Sequence, residues 1–182
     1  MAKVNIAGYD ICEQLYNGSR TLIYRGCRKI DNTKVAIKML RNPYPTFHEL
    51  VQFRNQYIIA KNLNSPLIIK VYTLEPCQNA YALIMEDFGG ISLKDYFRQQ
   101  EKSLQEFFPL AIAITNSLEV LSQNSIIHKD IKPNNILINP QTKKIKLIDF
   151  SIASLLPRET QTLLNSNVLE GTLPYISPEQ TG

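Results

Sequence analysis

Apolar residues in the first half of the chain fall into short runs bounded by polar turns, a pattern that predicts β-strands. Five runs of this kind are present: 11–15, 22–28, 34–40, 68–74 and 81–86. Between the third and fourth runs, apolar residues from 47 to 63 recur at helical spacing. The pattern predicts a five-stranded sheet with one helix over residues 1–88.

The pattern changes after Gly89-Gly90, where helical spacing replaces the strand-like runs. Ser103 followed by Glu106 predicts a capping box, in which each side chain bonds the other residue's backbone N–H. An apolar stripe from Leu104 to Leu121 predicts a helix, and short strands at 136–139 and 145–148 flank a turn. The whole chain is therefore predicted to be α+β, with two lobes that meet at the glycine pair.

Composition narrows the class of protein. The 182 residues are 44% hydrophobic and 20% charged, which is typical of a folded domain. The net charge of +4 is dispersed, and no basic stripe with interleaved aromatics indicates nucleic-acid binding. The three cysteines form no Cys-x-x-Cys pair, which argues against a zinc site or a disulfide framework. Without a signal peptide or a long apolar span, the chain is predicted to be cytoplasmic, with no membrane segment.

The segment from His128 to Asn135 carries the most informative chemistry. Asp130 is an acid that can orient a hydroxyl and accept its proton, and Asn135, five residues later, can hold a magnesium ion. Lys132 can neutralise charge on a phosphoryl group. The competing interpretation is a surface loop whose Asp and Asn make turn hydrogen bonds.

Three further elements have weaker individual signals. Asp149 ends an apolar strand and is a hard oxygen ligand suited to magnesium, although a lone Asp there also suits a turn. Lys38 stands inside an apolar strand, where it needs a partner or a solvent-facing position. The segment 171–179 contains two prolines and Thr172, which can hydrogen-bond towards Asp130.

These four elements follow the order and spacing of the protein-kinase signature motifs, and nearly the whole chain resembles the eukaryotic-like Ser/Thr protein kinase family. The resemblance implies a bilobal fold with a complete N-lobe (1–88) and a partial C-lobe (89–182). It also implies ATP- and magnesium-dependent transfer of the γ-phosphoryl group to a protein hydroxyl in signal transduction. Lys132 together with Gly171-Thr172 is similar to the Ser/Thr class.

By the same resemblance, the catalytic residues are Asp130, Lys132 and Lys38, and the magnesium ligands are Asn135 and Asp149. The nucleotide-binding residues it implies are Gly18, Ile23, Ala36, Lys38, Met85, Glu86, Phe88 and Leu137.

Two departures from the family pattern fall in the first lobe. The phosphate loop, residues 15–23, keeps only Gly18 of three expected glycines, and Tyr16 and Thr21 are expected to stiffen it. Gln56 stands where a glutamate normally pairs with the strand lysine, at an expected cost of about tenfold in rate. Glu49 is a weaker candidate for that pairing.

Two more departures fall in the second lobe. Lys129 replaces an arginine that grips an activation-loop phosphate, so phosphorylation at Thr160, Thr162 or Ser166 is expected to activate weakly. The chain stops before the fold's last helices, and the 182 residues alone are expected to bind nucleotide weakly and transfer phosphate poorly. Residues 81–97 are similar to kinase domains that head bacterial multi-sensor hybrid kinases, which predicts further signalling domains.

Two other functions remain open at this point. A non-catalytic kinase-like module, acting as a nucleotide sensor or scaffold, is favoured by Tyr16, Thr21 and Gln56. A small-molecule phosphotransferase is disfavoured by the 171–179 segment, which such enzymes generally lack.

Overall fold

The computed structural model describes residues 6–77, 79–99, 103–156 and 171–180, without the side chains of Gln99 and Glu179. The chain forms two compact units, one of Met1–Asn62 with Ile69–Phe88 and the other of Leu63–Ile68 with Gly89–Gly182. The fold is α+β, as predicted. Across the described ranges, no helix combines the length and apolarity needed to cross a membrane.

The first unit is built on an antiparallel sheet with strand order β1-β2-β3-β5-β4. Its strands are β1 (Tyr9–Asn17), β2 (Thr21–Arg28), β3 (Lys34–Leu40), β4 (Val71–Cys77) and β5 (Ala80–Glu86). Val35, Ile37 and Met39 of β3 belong to a buried apolar cluster on one face. Because side chains alternate along a strand, Lys38 projects from the other face.

The helix of this unit, α1 (Phe47–Lys61), begins at a capping box. The Thr46 hydroxyl accepts from the Glu49 N–H at 3.3 Å, and the Glu49 carboxylate accepts from the Thr46 N–H at 2.8 Å. This bond from the Thr46 backbone holds the pKa of Glu49 below its ordinary value. The helix buries Phe53, Ile59 and, among these apolar residues, the polar Gln56.

The fourth strand lies three residues later than predicted, at 71–77 instead of 68–74. The apolar residues Leu67 and Ile68 belong to the second unit instead, where Leu147 N–H donates to Leu67 O at 2.8 Å and Ile68 bridges Leu147. Apolar character alone does not show whether such residues belong to β4 or contact β9 of the second unit. The apolar pattern therefore placed the strand too early.

The second unit combines helices with short strands. Its helices are α2 (Leu93–Gln99) and α3 (Leu104–Gln123), and its strands are β6 (Ile91–Ser92), β7 (Ile126–Ile127), β8 (Ile136–Ile138), β9 (Ile145–Leu147) and β10 (Ser154–Leu155). β6, β8 and β9 form one sheet and β7 pairs with β10. The sequence pattern missed α2 and the two-residue strands, which are too short to show periodicity.

Only half of the predicted capping box at α3 is present. The Ser103 hydroxyl accepts from the Glu106 N–H at 3.3 Å, as expected. The Glu106 carboxylate, predicted to bond the Ser103 backbone, instead accepts from the Tyr96 hydroxyl at 3.4 Å. The prediction failed because tertiary contact with α2 offers this carboxylate a different donor.

Candidate active site

The buried lysine of the first unit has a neutral partner. Lys38 is 5% exposed, and its Nζ donates to Gln56 Oε1 at 2.8 Å. Gln56 is itself only 1% exposed, so the contact is shielded from water. An amide oxygen leaves the full positive charge of the lysine uncompensated by this partner, whereas a glutamate there would neutralise it.

Glu49 is not the substitute partner that the sequence analysis considered. Its carboxylate is bonded to the backbone and hydroxyl of Thr46 at the first turn of α1. Gln56 lies two turns further along the same helix, and it alone of the two contacts Lys38.

We expect the substitution Gln56→Glu to raise the rate of phosphoryl transfer by up to about tenfold. A carboxylate would hold the Lys38 ammonium with a charge-assisted bond, which is stronger than the present bond to a neutral amide. Steady-state rates of Gln56→Glu and wild-type protein check this. Gln52→Glu places the same charge one turn earlier on α1 and is expected to leave the rate unchanged; an equal gain in both variants would contradict the pairing argument.

Several predicted nucleotide-binding residues of the first unit occupy adjacent strands. Ile23 on β2 lies opposite Lys38 on β3, and Ala36 lies opposite Met85 on β5. Because residues directly opposite each other on neighbouring strands point to the same face of the sheet, the two side chains of each pair lie side by side. Their role as a nucleotide site remains a prediction.

The end of β5, where Glu86 is predicted to bind nucleotide, and the residue that follows it are held by contacts from two sides. Glu86 N–H donates to Lys70 O at 3.0 Å, and Glu86 Oε1 accepts from Lys70 N–H at 2.7 Å. Arg25 Nε contacts Asp87 Oδ2 at 2.6 Å. Arg25 was not among the predicted residues, since no local signal in the sequence shows that β2 reaches Asp87.

In the second unit, Asp130 is the centre of a hydrogen-bonded cluster. Its Oδ1 accepts from the Thr172 hydroxyl at 2.7 Å, and its Oδ2 lies 2.7 Å from Lys132 Nζ. Lys132 Nζ also donates to Thr172 Oγ1 at 2.7 Å. The predicted contact between Thr172 and Asp130 is therefore confirmed. Two polar side chains, 40 residues apart in sequence, thus hold one carboxylate in place.

Asn135 adjoins this cluster and presents an oxygen. Its Nδ2 donates to Asp130 O at 2.9 Å and to Asp130 Oδ2 at 2.8 Å. With its amide nitrogen so used, the amide oxygen is the atom that Asn135 would offer to a metal ion. Ile148 N–H donates to Asn135 O at 2.9 Å, which ties this residue to the one before Asp149.

Asp149 has a backbone conformation that fits a functional constraint. Its φ of 64° lies in the left-handed region, which Asp and Asn tolerate better than most side chains. A carboxylate and an amide oxygen are hard ligands of the kind that magnesium prefers. The donor set of Asn135 and Asp149 therefore fits the implied ion.

His128 connects the loop of residues 128–135 to Ile148, the residue before Asp149. Its Nε2 donates to Ile148 O at 3.0 Å, while its Nδ1 accepts from Asp130 N–H at 3.3 Å, a tautomer assigned here from these partners. The ring also packs against Phe150, with 4.8 Å between centroids. Burial lowers the pKa of His128 and outweighs the opposing effect of the Ile148 carbonyl and the Asp149 and Asp130 carboxylates. A proton on Nδ1 would also oppose the Asp130 N–H.

We expect His128 to make folding stability depend on pH. Because its folded pKa is below the ordinary 6.5, the unfolded chain binds more protons just below that pH, and stability falls as pH drops through 6.5. The maximum slope is about 1.4 kcal/mol per pH unit. Denaturant unfolding between pH 8 and about 5, comparing wild-type with His128→Phe, measures this slope. The chain's other histidine, the exposed His48, supplies the control His48→Phe; the same pH dependence in all three proteins would contradict the assignment.

The segment from Gly171 to Gln180 packs onto the backbone of the loop that carries Asp130, at Lys129. Gly171 has φ of 129°, and a Cβ there would approach Lys129 O to 3.0 Å, so glycine suits both the conformation and the space. Gln180 Nε2 donates to the same Lys129 oxygen at 3.0 Å. These contacts explain why Thr172 reaches Asp130. The proposed phosphorylation positions Thr160, Thr162 and Ser166 lie outside the described residues.

Comparison with known proteins identifies the family. The sequence pattern of the protein kinase domain matches residues 9–182. The serine/threonine-protein kinase PrkC of Bacillus subtilis is 33% identical over 174 residues, which cover 94% of this chain and 26% of PrkC. The serine/threonine-protein kinase PknB of Mycobacterium tuberculosis is 31% identical over 80% of this chain and 24% of its own length.

A probable serine/threonine-protein kinase PknB of Lactococcus lactis is 26% identical over 99% of this chain and 29% of its own length. The chain thus spans about a quarter of the length of these curated relatives. Because the family pattern matches every residue from the start of β1 to residue 182, the chain belongs to the protein kinase domain family, among relatives of the bacterial Ser/Thr type.

Proposed function

We propose that this domain transfers the γ-phosphoryl group of ATP to a serine or threonine hydroxyl of a protein, with magnesium as cofactor. The observation that carries the proposal is the cluster of Asp130, Lys132, Thr172 and Asn135. A carboxylate held on both oxygens can orient an attacking hydroxyl and accept its proton, and the adjacent ammonium can neutralise charge on the phosphoryl group.

The remaining predicted residues take the roles that the family resemblance implies. Lys38 would contact the ATP phosphates, and Asn135 and Asp149 would hold magnesium, which when bound neutralises phosphate charge. The nucleotide would lie against Gly18, Ile23, Ala36, Met85 and Leu137, with its adenine edge on the backbone of Glu86 and Phe88. The partners proposed are a protein substrate and further signalling domains of a longer cytoplasmic protein.

A radiolabelled-phosphate assay tests this function. The full-length natural protein is incubated with γ-labelled ATP and a general protein substrate, and the labelled amino acids are then identified. Label on serine or threonine that disappears when magnesium is chelated supports the proposal. If wild-type protein and Asp130→Asn incorporate equal label, or none, the non-catalytic kinase-like module is the correct alternative.

A further inference from the structure

The tip of the β1–β2 hairpin is held closed by contacts of its own. Gly18 N–H donates to Thr21 O at 3.0 Å, which closes the turn between the strands. The ring of Tyr16 lies over Gly18 so closely that a Cβ at Gly18 would be 2.3 Å from Tyr16 Cε1. The ring thus packs directly on this glycine, in a loop that lacks the other two expected glycines, and a side chain at position 18 would displace the ring.

Arg41, the residue after β3, grips this tip from outside the hairpin. Its Nε donates to Gly18 O at 2.8 Å, and its Nη2 donates to Asn17 Oδ1. Its backbone N–H donates to Arg20 O at 2.8 Å. One residue thus bonds three residues of the tip, and two of these bonds use the planar fork of a single guanidinium group.

The geometry makes this contact specific for arginine. A lysine at the same position carries the same charge, but it has one nitrogen on a flexible stem and cannot present two fixed donors in a plane. The acceptors here are a backbone carbonyl and a side-chain amide oxygen, both neutral. Arg41 therefore contributes two hydrogen bonds of fixed geometry, and it does not neutralise a negative charge.

We propose that Arg41 is a positioning residue that holds the tip of the phosphate loop in one conformation before nucleotide arrives. The inference rests on the proposed function, which gives the loop its role as a cover for ATP phosphates. An exposed loop that must be ordered on binding lowers affinity through lost conformational entropy, and a brace that orders it beforehand reduces that loss. Arg41 would act through Gly18 and Asn17 and would not touch the nucleotide.

Hydrogen exchange in the nucleotide-free protein directly tests whether Arg41 orders the tip of the loop. In Arg41→Ala, amide exchange in the peptide covering residues 15–22 is expected to be about tenfold faster than in wild-type protein, because the tip opens more often. Arg41→Lys is expected to behave like Arg41→Ala, and Asn17→Ala, which removes one arm of the fork, to fall between. Arg54→Ala, the same change at an exposed position of α1, is expected to match wild-type protein.

Kinetics of the same full-length variants test the consequence. We expect Arg41→Ala and Arg41→Lys to raise KM for ATP about three- to tenfold with kcat little changed, and Arg54→Ala to change neither. Unaltered hydrogen exchange of the loop in Arg41→Ala would contradict the proposal that Arg41 orders the loop. Faster exchange with an unchanged KM for ATP would contradict it as well. Wild-type loop exchange and wild-type KM in Arg41→Lys would also contradict the proposal, since a positive charge at this position would then be enough. Absence of nucleotide binding by wild-type protein instead refutes the proposed function.

Discussion

Replacing Asp130 by asparagine is expected to lower phosphoryl transfer by about 10²- to 10⁴-fold, the range that a positioned general base contributes. The amide can keep the same three partners: its oxygen can accept from Asn135 and Lys132, while the bond to Thr172 reverses and the NH2 group donates to the hydroxyl. What is lost is the negative charge and the capacity to accept a proton. The labelled-phosphate assay with full-length protein measures the effect.

Two additional measurements show whether a loss of activity in Asp130→Asn comes from the lost carboxylate or from misfolding. The thermal midpoint of Asp130→Asn should stay within about 4 °C of wild-type protein, because the hydrogen-bonded cluster is preserved. Asp95→Asn, an equivalent change at the start of α2, should keep normal activity. Near-normal turnover by a folded Asp130→Asn protein would remove Asp130 from the catalytic role.

Replacing Lys38 by methionine is expected to reduce turnover about 100-fold, the equivalent of about 3 kcal/mol for a lost charge-assisted contact with phosphate. Methionine has a similar unbranched shape and suits a position that is 5% exposed. The change also leaves the Gln56 oxygen without its Lys38 donor, which is expected to cost about 1–3 kcal/mol of stability.

A second substitution separates these two effects. In Lys38→Met combined with Gln56→Leu, the lysine and the amide oxygen it bonds are both removed, so stability should recover towards that of wild-type protein. Turnover should stay about 100-fold low, because the ammonium is still missing. A stable double variant with wild-type turnover would show that Lys38 does not act on the phosphates.

Local pattern was sufficient for most of the sheet and for the main helices. The alternation in β3 places Val35 and Ile37 in the core and Lys38 on the other face, which follows from strand geometry alone. The sequence also anticipated the contact between Thr172 and Asp130 across 42 residues, from the hydrogen-bonding capacity of the two side chains. Nothing local in either segment requires the other, so only the tertiary structure brings the two together.

The failures share a physical cause. Ile68 and Glu106 have the right character for the roles predicted for them, yet each is used by a neighbour from another element. The same holds for Arg25 on Asp87 and Arg41 on Gly18, where a long arginine side chain finds an acceptor 23 or more residues away. A flexible charged side chain carries no local signal of the partner that it meets.

The amino-acid order alone determined the class of fold, the periods of the longer strands and helices and the choice of candidate site residues, because these depend on residue type and short-range spacing. Tertiary structure decided which partners each candidate residue meets. It gave Lys38 the Gln56 amide and not the Glu49 carboxylate, and it surrounded Asp130 with Thr172, Lys132 and Asn135. Such choices depend on the register of packed elements, which brings together residues that are distant along the chain.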